Sequence, residues 1–344
     1  MIPTPSADVP GTFDEHLTRF AEVAAVPGLP PIIARLRRRI GVAVVGRACV
    51  GRDTVAAALR HHGVTVTADP AAADVRVLVI AEALKREEWE MAATGLPTLI
   101  VLNKADLTGS RSGGALPNAH RRAADVQRRT GMPTVAMVGL LAAAGASEAT
   151  GKTTAPLDDD LVAALRTLVS TPADLGSVDA FVGGDHLVAR GVRSRLLERL
   201  DRFGIAHAVL ALGRGDDPAT LPALLRRLSN VDAVLAGLHA CAAPVRYRRL
   251  RVALAEMHSL AVELDDDGML GLLNSDAAVL ATMTAAVGVV EADGIRVDRG
   301  DHPDAHLRRA VHWRRYGGGP VNALHRSCSA DIARGSLRLL GGHR

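Results

Sequence analysis

Four apolar runs recur in the first half of the chain: IGVAVVG from Ile40, VRVLVIA from Val75, LPTLIVLN from Leu96 and MPTVAMVGLL from Met132. None alternates with polar residues as a half-exposed strand would. A strand that is apolar throughout must be covered on both faces, and that environment belongs to a parallel sheet between helices. The intervening stretches fit, since TVAAALRHHG from Thr54, LKREEWEMAA from Leu84 and NAHRRAADVQRRTG from Asn118 have helical spacing. A shorter run, VTVT from Val64, reads as one more strand. The expected class is α/β, a doubly wound, mainly parallel sheet over residues 40–155.

Beyond Pro156 the strand signals fade. Apolar residues return at helical spacing, as in Leu221, Leu224, Leu225, Leu228 and Val231, and residues 156–344 read as a mostly α-helical domain. Aromatic residues are only 2% of the 344, so the core must be packed with Leu, Val and Ala, a composition that favours helices. Residues 1–39 read as one helix, FDEHLTRFAEVAAV, followed by PGLPP and a basic RLRRR, an arm too short for its own core.

The net charge is +4, with arginines scattered and few aromatics to stack on bases, which argues against nucleic acid. Cys49, Cys241 and Cys328 lie far apart, against a disulfide framework or zinc site and in keeping with a reducing compartment. The start lacks the pattern of a signal peptide, and no uninterrupted apolar run of about 18 residues occurs, so the expected location is cytoplasmic, with membrane contact only indirect. His302, His306 and His312 read as residues of a solvated helix start and not as metal ligands.

In a doubly wound sheet, ligands sit at the carboxyl ends of the strands. After IGVAVVG comes GRACVGRDT, which sets Gly46 and Gly51 at the spacing of a phosphate-binding loop with a helix following. The chemistry departs from that loop. Arg52 stands where a lysine would reach the β and γ phosphates, and Asp53 stands where a hydroxyl would bind Mg²⁺, with Thr54 one place later. Arginine is no conservative substitute for that lysine. Asp53 and Thr54 are the candidate Mg²⁺ ligands, although the Asp53 charge also repels phosphate.

After LPTLIVL come Asn103, Lys104, Ala105 and Asp106. In an Asn-Lys-x-Asp pattern the carboxylate accepts two hydrogen bonds from guanine N1 and N2, the lysine stem packs over the base and the asparagine ties loops together. Adenine lacks those donors, so an unpaired buried carboxylate rejects it. A second loop-like stretch, ASEATGKT with Lys152, has poor context, because Pro156 and LDDDL delay the next helix and crowd its first turn with acids.

The order GRACVGRDT, VRVLVIAE, VLNKADL and VGLLAAA resembles a divergent GTPase domain of the translation-factor and dynamin-related class, and the run from NKADL into LDDDLVAALRTLV is similar to actinobacterial GTPase-like proteins. The resemblance covers about residues 40–170, and the helical remainder is similar to the same proteins. It implies a P-loop guanine-nucleotide fold that takes GTP or GDP, with Mg²⁺ as companion. Gly46, Gly51, Arg52, Asp53 and Thr54 would then hold phosphate, and Asn103, Lys104 and Asp106 the base, with Val138, Gly139 and Leu140 beside it. Two parts of that pattern are missing. About ten residues separate Gly63 from VRVLVIA, too few for a switch segment, and Ala81, Glu82 and Ala83 stand where an Asp-x-x-Gly should end the strand. Three readings remain open. They are a guanine-nucleotide-binding protein with weak or no hydrolysis that regulates or partners another protein such as a dynamin-like GTPase, a slow GTPase switch, and a pseudo-GTPase scaffold without nucleotide. Homo- and hetero-oligomers both remain compatible with the chain.

Overall fold

The computed structural model describes residues 13–24, 26, 28–93, 95–109, 114–144 and 157–342. In chain order the elements are α1 (Phe13–Ala24), α2 (Leu29–Arg37), β1 (Val42–Val45), α3 (Arg52–His61), β2 (Val75–Ala81), α4 (Arg86–Ala92), β3 (Thr98–Asn103), α5 (Ala115–Thr130), β4 (Thr134–Ala136), α6 (Gly139–Ala144), α7 (Asp159–Ser170), α8 (Val178–Gly183), α9 (Arg190–Gly213), α10 (Leu221–Ser229), α11 (Val231–Leu264), α12 (Asp267–Leu273), α13 (Asp276–Ala292), α14 (Pro303–Gly317) and α15 (Ala323–Gly342). The chain is mixed α/β, with one all-parallel sheet among the described residues, and all its described elements after β4 are helical.

The sheet runs in the order β1-β2-β3-β4. VTVT forms no strand of its own, but Val66 makes an isolated parallel bridge to Val42. Val42 N–H donates to Thr65 O at 2.9 Å and Val42 O accepts from Thr67 N at 2.9 Å, whereas β2 is bonded through Gly41 O, so the Val66 stretch lies on the opposite side of β1. After β1 the chain therefore goes first to one side and then to the other, and the carboxyl end of β1 is the point where the winding reverses. Such a reversal opens a crevice above the sheet.

Two compact units divide the described chain, and the first is Ile40–His239. The sequence placed a boundary at 155/156, and the structure moves it. Leu78, Ile80, Ile100 and Leu102 on one face of the sheet share a single core with Leu161, Leu165 and Leu168 of α7, Phe181 of α8, Leu196, Leu200 and Ile205 of α9, and Leu221 and Leu225 of α10. Those helices are amphipathic because their apolar faces cover the sheet. On the other face Val77, Val79, Leu99 and Val101 are also fully buried, and the start of α11 approaches so closely that a side chain at Gly237 would meet Leu99 and Val135.

The second unit comprises the described residues on either side of the first. Its amino-terminal part holds two helices where the sequence suggested one: LPP opens α2, with proline in its first turn, where the missing N–H costs nothing. Phe13, Leu17, Leu29, Ile32 and Ile33 pack with Leu250, Met257, Ala261, Met269 and Ala278. A further cluster joins Tyr247, Val289, Val290, Trp313, Cys328 and Ile332. His302 caps α14, but His306 is 1% exposed against Arg309 and does not belong to a solvated helix start, because the first turn of α14 packs inward. One described stretch, Asp267–Ala292, is long and apolar enough to cross a membrane. Within the unit its α13 part buries Ala286, Val289 and Val290.

Candidate functional site

The loop after β1 is shaped by backbone contacts. At Gly46 a Cβ would lie 2.5 Å from Val79 O, so only glycine lets the loop leave β1 this close to β2. Cys49 then takes a left-handed φ of 65°, and Gly51, at φ 84°, caps α3. Arg47 donates to Glu88 Oε1 at 2.9 Å, and the other Glu88 oxygen accepts from Lys85 N at 2.8 Å. Glu88 is fully buried, so this ion pair anchors the loop to α4.

β3 ends at Asn103, whose amide does two things. Nδ2 donates to Val50 O at 2.9 Å, and Oδ1 accepts from Gly139 N at 2.9 Å. One buried side chain thus ties the loop after β1 to the start of α6. Gly51 must be glycine for this to happen, since a Cβ there would lie 2.3 Å from Nδ2. Lys104 follows in the left-handed region at φ 56°, with Ala105 N donating to Met137 O at 3.1 Å, which turns Asp106 back toward the strand ends.

These residues enclose a cavity of about 230 Å³, lined by Gly51, Thr54, Asn103, Lys104, Asp106, Leu107, Val138, Gly139, Leu140 and Asp201. That volume is below the range of roughly 300–1,000 Å³ of whole-ligand pockets and suits one planar ring system, with any attached chain lying outside. The structure brings together eight of the residues singled out from sequence. It leaves out Gly46, which shapes the loop from behind, and Arg52 and Asp53, which are exposed and engage each other, Arg52 Nε donating to Asp53 Oδ1 at 3.0 Å. Ala81 ends β2, and Glu82 and Ala83 are exposed and do not line the cavity. Lys152 and its loop lie outside the described residues.

Asp201 is the lining residue that the sequence did not suggest. α9 kinks there, with φ 51° and ψ 175°. This backbone region is almost reserved for glycine and costs a non-glycine residue on the order of 1–3 kcal/mol. Asp201 Oδ1 accepts from Arg202 N at 2.6 Å. The pattern hides the kink, because buried Leu196, Leu200, Gly204 and Ala208 run through it at unbroken helical spacing.

The cavity is acidic. Burial pushes the Asp106 carboxyl above the ordinary carboxylate range, and the Asp201 charge pushes the same way, against the hydrogen bond from its own backbone and against Lys104. A half-buried carboxylate under that pressure favours a ligand that brings N–H donors. Among the described residues no group of three or more His, Cys, Asp or Glu is placed to hold a metal ion. Comparison with models of protein families, with curated proteins and with solved structures finds no match to the chain.

Proposed function

We propose that the chain is a guanine-nucleotide-binding protein of P-loop type with weak or no GTP hydrolysis. One observation carries this reading: Asn103 holds the loop after β1 and the Gly139 turn together, and Asp106, three residues on, faces the cavity so formed. The donors a carboxylate needs there are those of guanine N1 and N2. In this reading the base fills the cavity over the Lys104 stem, and the phosphates lie outward at the start of α3, where free backbone N–H groups favour anions.

The residues fit the base end better than the phosphate end. Arg52 and Asp53 contact each other at the surface and neither lines the cavity, where Thr54 supplies the hydroxyl. Phosphoryl transfer depends on neutralised charge and a positioned water, and hydrolysis is correspondingly slow in this reading. The bound nucleotide then serves as a signal to a partner protein, for which a second GTPase is our proposal, and not as a fuel.

The test is direct. Protein purified under native conditions and then denatured is expected to release GDP or GTP on chromatography, and calorimetry should give tighter binding for GDP and GTP than for ATP. Asp106→Ala removes the preference, by about tenfold or more, since a charged hydrogen-bond acceptor is lost. Equal affinity for ATP sinks the base assignment, and turnover at several GTP per second sinks the claim of weak hydrolysis.

A further inference from the structure

Guanine presents three donor hydrogens along one edge, one on N1 and two on the 2-amino group. A single carboxylate accepts two of them. The cavity holds a second carboxylate, Asp201, contributed by α9, an element remote in sequence from the loops that build the rest of the site. α9 breaks at that residue, and position 201 itself is neither Gly nor Pro. Its Oδ1 accepts from Arg202 N, and Oδ2 is the carboxylate's second acceptor. Two carboxylates beside one small cavity repel each other when it is empty of donors, and a ligand with donors between them relieves that repulsion.

We propose that Asp201 is a base-specificity residue that accepts the second 2-amino hydrogen, so that guanine is held between two carboxylates. The inference rests on the guanine reading of the site and extends it. Asp106 alone separates guanine from adenine. Asp201 adds to the separation that Asp106 already makes between guanine and hypoxanthine, which has the same N1–H and O6 but no 2-amino group. The ligand class is thereby narrowed to 2-aminopurine nucleotides with a protonated N1.

The experiment compares GDP, IDP and ADP binding to the full chain by calorimetry, in the wild type, Asp201→Gly and Asp201→Asn. Glycine adopts the φ and ψ of residue 201 without strain, so Asp201→Gly removes the carboxylate and keeps the kink. We expect GDP affinity to fall about tenfold in Asp201→Gly, with IDP affinity unchanged within about threefold, the size of one charged hydrogen bond. Asp201→Asn, which keeps shape and loses charge, falls between the two. A melting temperature of Asp201→Gly at or above the wild type distinguishes loss of a contact from loss of the fold. If GDP and IDP weaken together, or if the ratio of their affinities does not change, Asp201 only shapes α9 and the inference is overturned while the guanine reading stands. If the wild type binds no GDP, both fall.

Discussion

Asn103 and Asp106 occupy neighbouring places and face opposite demands. Asn103 is buried and has both ends of its amide matched, so it behaves as a fixed strut between two loops. Asp106 is half-buried and carries a charge that burial and the Asp201 carboxylate both disfavour. The sign of the pH effect follows. A carboxyl whose pKa is higher in the folded than in the unfolded chain binds its proton more tightly when folded, so its contribution to stability is present in full below about pH 3.9, the unfolded value, and is lost as pH rises through the raised folded value. Asp106→Asn removes that loss. Urea denaturation across pH 3.5–8 should find the variant more stable than the wild type near neutrality, with the difference vanishing at the acid end. A constant difference at all pH would mean that Asp106 does not titrate with folding. Nucleotide binding should run the other way, since guanine needs the ionised carboxylate, and the GDP affinity of the wild type is expected to weaken as pH falls through the raised pKa.

At the level of elements, the strands were legible because a doubly covered strand has no choice but to be apolar throughout, and β2 and β3 lie inside the VRVLVIA and LPTLIVLN runs. The loop after β1 was legible for a similar reason: Gly46 and Gly51 stand where another strand's carbonyl and the Asn103 amide come too close for any Cβ. α2 was missed because Pro30 and Pro31 look like a break and are in fact its first turn. Asp201 was missed because periodicity reports which face is buried and is blind to a kink that preserves the phase. The loop and helix α3 make a prediction of their own. Gly51→Ala places a methyl group against Asn103 Nδ2 at a residue with φ 84°, so the loop, the Asn103 strut or both must shift. The expected cost is about 1–3 kcal/mol in urea denaturation. GDP binding should fall far more than the far-ultraviolet circular dichroism changes, since α3 itself begins at the next residue. An alanine variant with unaltered GDP affinity would show that the close approach of loop and Asn103 is not needed for binding.

The whole molecule divides where its cores divide. Sequence reading set the boundary at 155/156, where strand patterns stop, and the compact units instead part at 239/240, because α7 to α10 are the cover of the sheet and have no core apart from it. A consequence can be measured with two fragments. Residues 40–155 keep every described strand and lose the helices that bury Leu78, Ile80, Ile100 and Leu102, each of which has no exposed surface in the folded chain. Exposing four such side chains costs together about 6–12 kcal/mol, which is comparable with the entire stability of an ordinary domain of about 5–15 kcal/mol. Residues 40–239 keep that cover and every residue that lines the cavity, Asp201 included. The shorter fragment is expected to aggregate or to unfold without a cooperative transition. The longer one should elute as a folded species, give a single urea transition and bind GDP with the affinity of the full chain. If 40–155 instead proves monomeric with a sharp transition of its own, the helices after 156 are an independent domain, and the place of Asp201 in the cavity loses its structural basis.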